Sequence, residues 1–153
     1  MSYTTAEGRQ DLLDALAEAT DEIGYALAAL GAAYEQLDQA TADKLEEDLF
    51  GPLQRAYGRA KRAHGAFAER SRLAGATFEA VQSAGVPSTG AKGFIENAVA
   101  AVGAAAGKLS TLQDLPSMLE VGDAELRRDL IDLRELVDDV PHRARELVRR
   151  LGR

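Results

Sequence analysis

From Leu13 to Thr41 the inward-type positions recur in steps of three and four without exception: Leu13, Leu16, Thr20, Ile23, Leu27, Leu30, Tyr34, Leu37 and Thr41. A seven-residue repeat held over four heptads predicts a long helix with a coiled-coil seam. Its shoulders are small: Ala19, Ala26, Ala33 and Ala40 on one side, Ala17, Gly24 and Gly31 on the other. Small shoulders let a second helix approach toward the short end of the usual range of roughly 8–10 Å. Gly24 and Gly31 are the expected points of closest approach. After Thr41 the seam moves in fours to Leu45 and Leu49, so the first helix is predicted over residues 5–49. Gly51-Pro52 is then the predicted corner, with glycine ending one helix and proline opening the next.

The second helix is predicted over 52–83, with Leu53, Tyr57, Ala60, His64, Phe67, Ala74, Phe78 and Val81 on its seam. Folding the chain back at Gly51 puts Tyr34 opposite Phe67, Ile23 opposite Phe78 and Leu37 opposite His64. Residues 85–93 read as a loop, with Val86-Pro87 and three glycines. A third helix follows over 91–114, turning Phe94, Ala98, Val102, Ala105, Leu109 and Leu112 inward. Gly103 and Gly107 each cost it about 1 kcal/mol of helix propensity, so close helix contact is expected on their face. Leu115 to Gly122 is a connector around Pro116. Asp123 caps a fourth helix over 123–151, whose seam runs Leu126, Leu130, Leu133, Val137, Val140, Ala144, Leu147, Leu151. The repeat passes through Pro141 unbroken, which predicts one kinked helix. The fold class expected is therefore all-α: an antiparallel up-down four-helix bundle, one domain over 1–153, with a long N-terminal coiled-coil-like hairpin.

That register leaves Leu13 and Leu16 facing the 85–93 loop. The fourth helix or a second subunit must cover them, and a twofold dimer is the expected solution.

Composition sharpens this picture. Twenty-nine of 153 residues are alanine and none is tryptophan, so the core is expected to hold many shallow contacts. With no cysteine, disulfides and thiolate metal sites are excluded. The N-terminus lacks a basic start and an apolar run, and no stretch reaches the ~20 apolar residues of a membrane span. A soluble, cytoplasmic protein is expected, with membrane association unlikely on composition.

The net charge of −7 argues against non-specific nucleic-acid binding. Residues 1–50 hold twelve acids and two bases, whereas 51–92 hold seven bases and two acids. An acidic first helix beside a basic second one suits a hairpin, with Arg55 near Glu46 and Glu47, and Arg59 near Asp43.

Candidate chemistry is sparse. In Gly85-Val-Pro-Ser-Thr-Gly90-Ala-Lys92-Gly93 an alanine separates the glycine and lysine of a phosphate loop, and no strand precedes it. A di-iron bundle needs Glu-x-x-His on two helices. Neither histidine here follows a glutamate at that spacing, and Asp139-Val-Pro-His142 occurs once. No cofactor, metal or catalytic residue is expected, and the chain reads as a non-enzyme. His64, on the seam, is expected to bond Asp38 or Thr41 across the hairpin; His64 with Asp38 is thus a candidate pH-sensitive core layer. His142, one turn from Asp138 and Glu146, reads as part of a surface network. Arg143, Arg145, Arg149 and Arg150 form a candidate partner surface near the C-terminal end.

The function expected is a non-enzymatic interaction or structural module acting through self-association or binding of another helical protein. The alternative is an amphipathic protein that coats lipid or hydrophobic inclusions. Narrow seams with small shoulders favour helix packing over lipid.

Overall fold

The computed structural model describes residues 4–81 and 83–151. It is all-helical, with no strand among the described residues. Helix α1 spans Thr5–Tyr34, and the Thr4 hydroxyl caps it by accepting from the Glu7 N–H at 3.0 Å. It stops well short of the predicted end at 49. The cause is local. Asp38 accepts from the Thr41 N–H at 2.8 Å and from its hydroxyl at 3.1 Å, nucleating a new helix, α2, over Gln39–Leu45. The hairpin corner is this turn at 35–38. The apolar spacing runs through it undisturbed, because Leu37 still packs half-buried against the core.

Gly51-Pro52 is no corner at all. A π-helical turn, Glu46–Phe50, joins α2 directly to α3, Gly51–Ser71, and Gly51 has ordinary right-handed helical angles. Proline inside a helix has no N–H to give the carbonyl four residues back, and its ring crowds that carbonyl. Here that carbonyl belongs to Asp48. It lies in the widened π turn and accepts instead from Arg143 Nη1 at 3.4 Å. The insertion lets the helical run pass through the proline.

The α1–α3 register differs accordingly. A side chain added at Gly24 would meet the Tyr57 ring at 3.2 Å, where the expected register puts Thr77. Tyr34 lies beside Phe50, and Phe78 beside His64, so neither predicted pair forms. α3 ends at Arg72, whose left-handed backbone (φ 57°) turns the chain, and the Leu73 N–H bonds back to the Ala68 carbonyl at 2.9 Å. This is well before the predicted end at 83. In the true register a longer α3 would overrun the start of α1 and leave Phe78 and Val81 without a neighbour. Residues 73–81 and 83–86 instead belong to an extended strap that returns along α1 and α3. Tyr25 Oη donates to the Ala84 carbonyl at 3.3 Å, and Gln36 Nε2 to the Pro87 carbonyl at 2.9 Å. Gly85, at φ +137° and close against Phe94, makes the turn toward the next helix.

α4 spans Gly90–Gln113 and α5 Pro116–Val121. The fourth predicted helix is two: α6, Ala124–Asp138, and α7, Val140–Leu151. The break at Asp139 puts Pro141 in the first turn of α7, where its missing N–H has no partner to lose. The predicted seams of these segments are buried almost residue for residue, from Phe94 to Leu112 and from Leu126 to Leu147.

α1 packs on α3 and α4, and α6 packs on the same two helices. Lys108 reaches Glu18, while Arg59 reaches Asp132 and Arg70 reaches Asp123. With Gly24 against Tyr57, Asp14 near His64 and Gln36 bonded to Pro87, these contacts make α3 and α4 both antiparallel to α1, and α6 antiparallel to α3. The helices therefore run up, down, down, up. The expected alternation fails because the strap carries the chain the length of the molecule between α3 and α4.

The most extensive contact is between α1 and α4. Ala19, Ala26, Ala29 and Ala33 on α1 are completely buried, as are Val102 and Ala105 on α4. Thr20, buried in the same seam, satisfies its hydroxyl by donating to the Leu16 carbonyl at 2.7 Å. Two glycine expectations fail here. A side chain at Gly31, Gly103 or Gly107 would meet nothing within 4 Å; of the expected contact glycines only Gly24 is tight. Leu13 and Leu16 are buried within one chain, so the need for a second subunit to cover them disappears.

Candidate interaction surfaces

Three places gather the side chains with chemical potential. The first is under the strap. His64 is 2% exposed. The ring of Phe78 meets it edge-on at 5.1 Å, and Gly75 lies against its Cε1. Only glycine fits there without displacing the imidazole. Burial pushes the His64 pKa down from its ordinary value, and Asp14 pulls it partly back. Asp38 is not its partner. His64 is level with Asp14 near the start of α1, and Asp38 lies beyond that helix's far end, bonded to Thr41, which holds its carboxyl below the usual carboxylate value. The shift of register separates the pair that the sequence joined. Beside the strap, Tyr57, Lys61, Gly24 and Val81 line an open cleft of about 440 Å³, with the lysine 4.3 Å above the tyrosine ring.

The second place is the basic charge on α3 and α7. On α3, Arg59 pairs with Asp132, and Arg70 grips Asp123 with two bonds, at 2.7 and 3.0 Å, and Glu125 at 3.0 Å. These acids are on α6 or its cap, where the expected ones were Glu46, Glu47 and Asp43. The Arg70 guanidinium is the main reason the Asp123 carboxyl titrates below its ordinary value. Asp123 also caps α6, accepting from the Leu126 N–H at 2.8 Å. On α7 the predicted cluster divides. Arg143 is bound to Asp139 at 2.7 Å and to the Asp48 carbonyl. Arg145, Arg149 and Arg150 are exposed and form no ion pair with a described residue. His142 pairs with Glu146 at 3.5 Å on the surface.

The third place was not singled out in the sequence. On the outside of α5 and α6, Leu119 is 82% exposed and Ile131 53% exposed. Together with Met118, Leu130, Gln113 and Arg127 they frame a groove of about 190 Å³. Arg127 holds the α5–α6 turn by donating to the Gly122 carbonyl at 3.2 Å. Ile131 breaks the period of its own helix: it lies off the Leu126–Leu130–Leu133 seam, on the face shared with Arg128 and Glu135. That misfit was the readable signal.

Among the described residues, no three histidine, aspartate or glutamate side chains converge as a metal site requires. The segment resembling a phosphate loop is a short 3₁₀ turn, Pro87–Thr89, leading into α4, and its Lys92 lies 3.9 Å from Glu96. No described helix is long and apolar enough to cross a membrane. The chain matches no protein-family model, no curated protein and no solved structure.

Proposed function

We propose that this protein is a non-enzymatic interaction module, a cytoplasmic four-helix bundle that acts through self-association or by binding a partner helix. The observation that carries the reading is the Leu119–Ile131 face. The core is complete without these two side chains, and an exposed leucine and isoleucine framing one groove is the kind of patch that a partner covers. Leu13 and Leu16 are covered within one chain and lend it no support.

Coating of lipid or hydrophobic inclusions is the second reading, favoured by the exposed Arg145, Arg149 and Arg150, which pair with no described residue. It draws less support, because Val140, Ala144 and Leu147 of the same helix turn inward. A lipid-seeking helix needs its apolar stripe on the outside.

Sedimentation equilibrium from micromolar to half-millimolar protein tests the first reading, alongside pelleting with anionic vesicles at low and high salt. The expected result is a mass that rises with concentration, an Ile131→Asp variant that stays monomeric, and no pelleting. A wild-type monomer throughout that pellets with vesicles at low salt overturns it in favour of the second.

A further inference from the structure

We infer that the partner of the α5–α6 face is a second copy of this chain, docked about a twofold axis beside Ile131. The inference rests on the interaction reading above and names its partner.

The exposed line along α6 is Ala124, Arg128, Ile131, Glu135 and Asp138, in steps of four and three. Most charges of this helix are already engaged: Glu125 with Arg70, Asp132 with Arg59, Arg134 with Asp138. Arg128 and Glu135 are exposed and pair with no described residue. They flank Ile131, one turn before it and one after, so the line is basic toward the start of α6 and acidic toward its end.

Such a line is complementary to itself in one orientation. Laid on its own copy in parallel, Arg128 meets Arg128 and Glu135 meets Glu135, which is repulsive. Turned end for end, Arg128 faces Glu135 twice, Ala124 gives room to Asp138, and Ile131 meets its counterpart. The midpoint of the charge pattern coincides with the exposed apolar residue, as an isologous contact demands. Leu119 stands beside that centre on the groove shared with Met118 and Leu130. Leucine and isoleucine at the centre then exclude water, and the charges at the rim select register and partner more than they add affinity.

The protein has no cysteine, so a single one reports cleanly. Oxidised Ile131→Cys should form a covalent dimer, whereas Ala104→Cys, on the exposed side of α4, should not. Arg128→Glu or Glu135→Arg alone should weaken self-association about tenfold, and the double variant should return it to within about twofold of wild type. All four positions are exposed, so circular dichroism should show an unchanged fold. Self-association that ignores both charge reversals overturns this inference while leaving the interaction reading intact, because another face then mediates it. A chain that stays monomeric at half-millimolar concentration also overturns it, and leaves a helix of different sequence as the remaining partner.

Discussion

Helices α1 and α4 share the most extensive contact in the fold, and α1 buries Ala19, Ala26, Ala29 and Ala33 while α4 buries Ala98, Ala101 and Ala105. Around α3 the materials differ. Phe67 and His64 are buried there, the strap closes over the imidazole, and two arginines bind acids of α6. In the first contact a buried alanine has no side-chain length to rearrange, so added volume at those positions is poorly tolerated. The second is assembled from long side chains and polar groups, so it can adjust to changes in shape but is sensitive to changes in charge. Alanine-lined packing and packing tied by ion pairs thus both hold one core.

The largest expected effect breaks that contrast by adding volume. Ala26→Leu, on the alanine face, should destabilise the fold by about 1–3 kcal/mol through overpacking. Ala80→Leu, on the exposed strap beside the Tyr57 cleft, should cost almost nothing. Urea denaturation of both variants checks this; equal losses would show that the two sides do not differ. Next comes charge. Asp123→Ala removes a helix cap together with the Arg70 pair and should cost about 1–2 kcal/mol. Asp123→Asn, which keeps a capping oxygen, should cost distinctly less, and the difference between the two reports the ionic tie.

A smaller effect has the opposite sign. Gly103 and Gly107 face open space on α4, so alanine at either position should stabilise the protein, by up to about 1 kcal/mol each. A thermal melt that falls for either variant would mean that the α4 surface is covered in solution. The smallest effect is in pH. His64 has its pKa lowered by burial, so below the ordinary histidine value the unfolded chain takes up a proton that the folded chain resists. Stability should be full above that value and decline as pH falls through it toward the lower folded pKa. His64→Gln should flatten this decline in melts recorded between neutral and mildly acidic pH, whereas an unchanged slope would assign it to carboxylates.

The two halves of the chain were not equally legible. From Phe94 to Leu147 the heptad positions found in the sequence are the buried ones, because each segment there has a single apolar line and stops stand at Pro116 and Gly122; the break before Pro141 was not legible, since the heptad runs through it. The first half misled for a physical reason. Apolar spacing records which face a residue turns to the core, and it says nothing about whether the backbone is continuous. Leu37 kept the period inside a turn, and Phe78 kept it inside an extended strap. Gly51-Pro52 looked like a corner because a proline normally interrupts the backbone ladder, and a π turn that absorbs it leaves no trace in residue types. The capping pattern Asp38-x-x-Thr41 was the overlooked signal for the true corner. His64 was correctly placed in the interior, but its partner depended on a register that the corner decides. The α5–α6 face went unread because Leu119 lies in a connector and Ile131 was passed over as a residue between seam positions.

The strap has one more consequence. It carries the chain from one end of the molecule to the other, and it separates α1–α3 from α4–α7. The contacts that join these two halves, α1 with α4 and α3 with α6, are interhelical and require no covalent link. Cleavage at an exposed strap residue such as Thr77 would yield two fragments, each a helical hairpin with half of the core. Those fragments carry complementary faces, and mixing separately made halves should restore the circular dichroism of the intact chain.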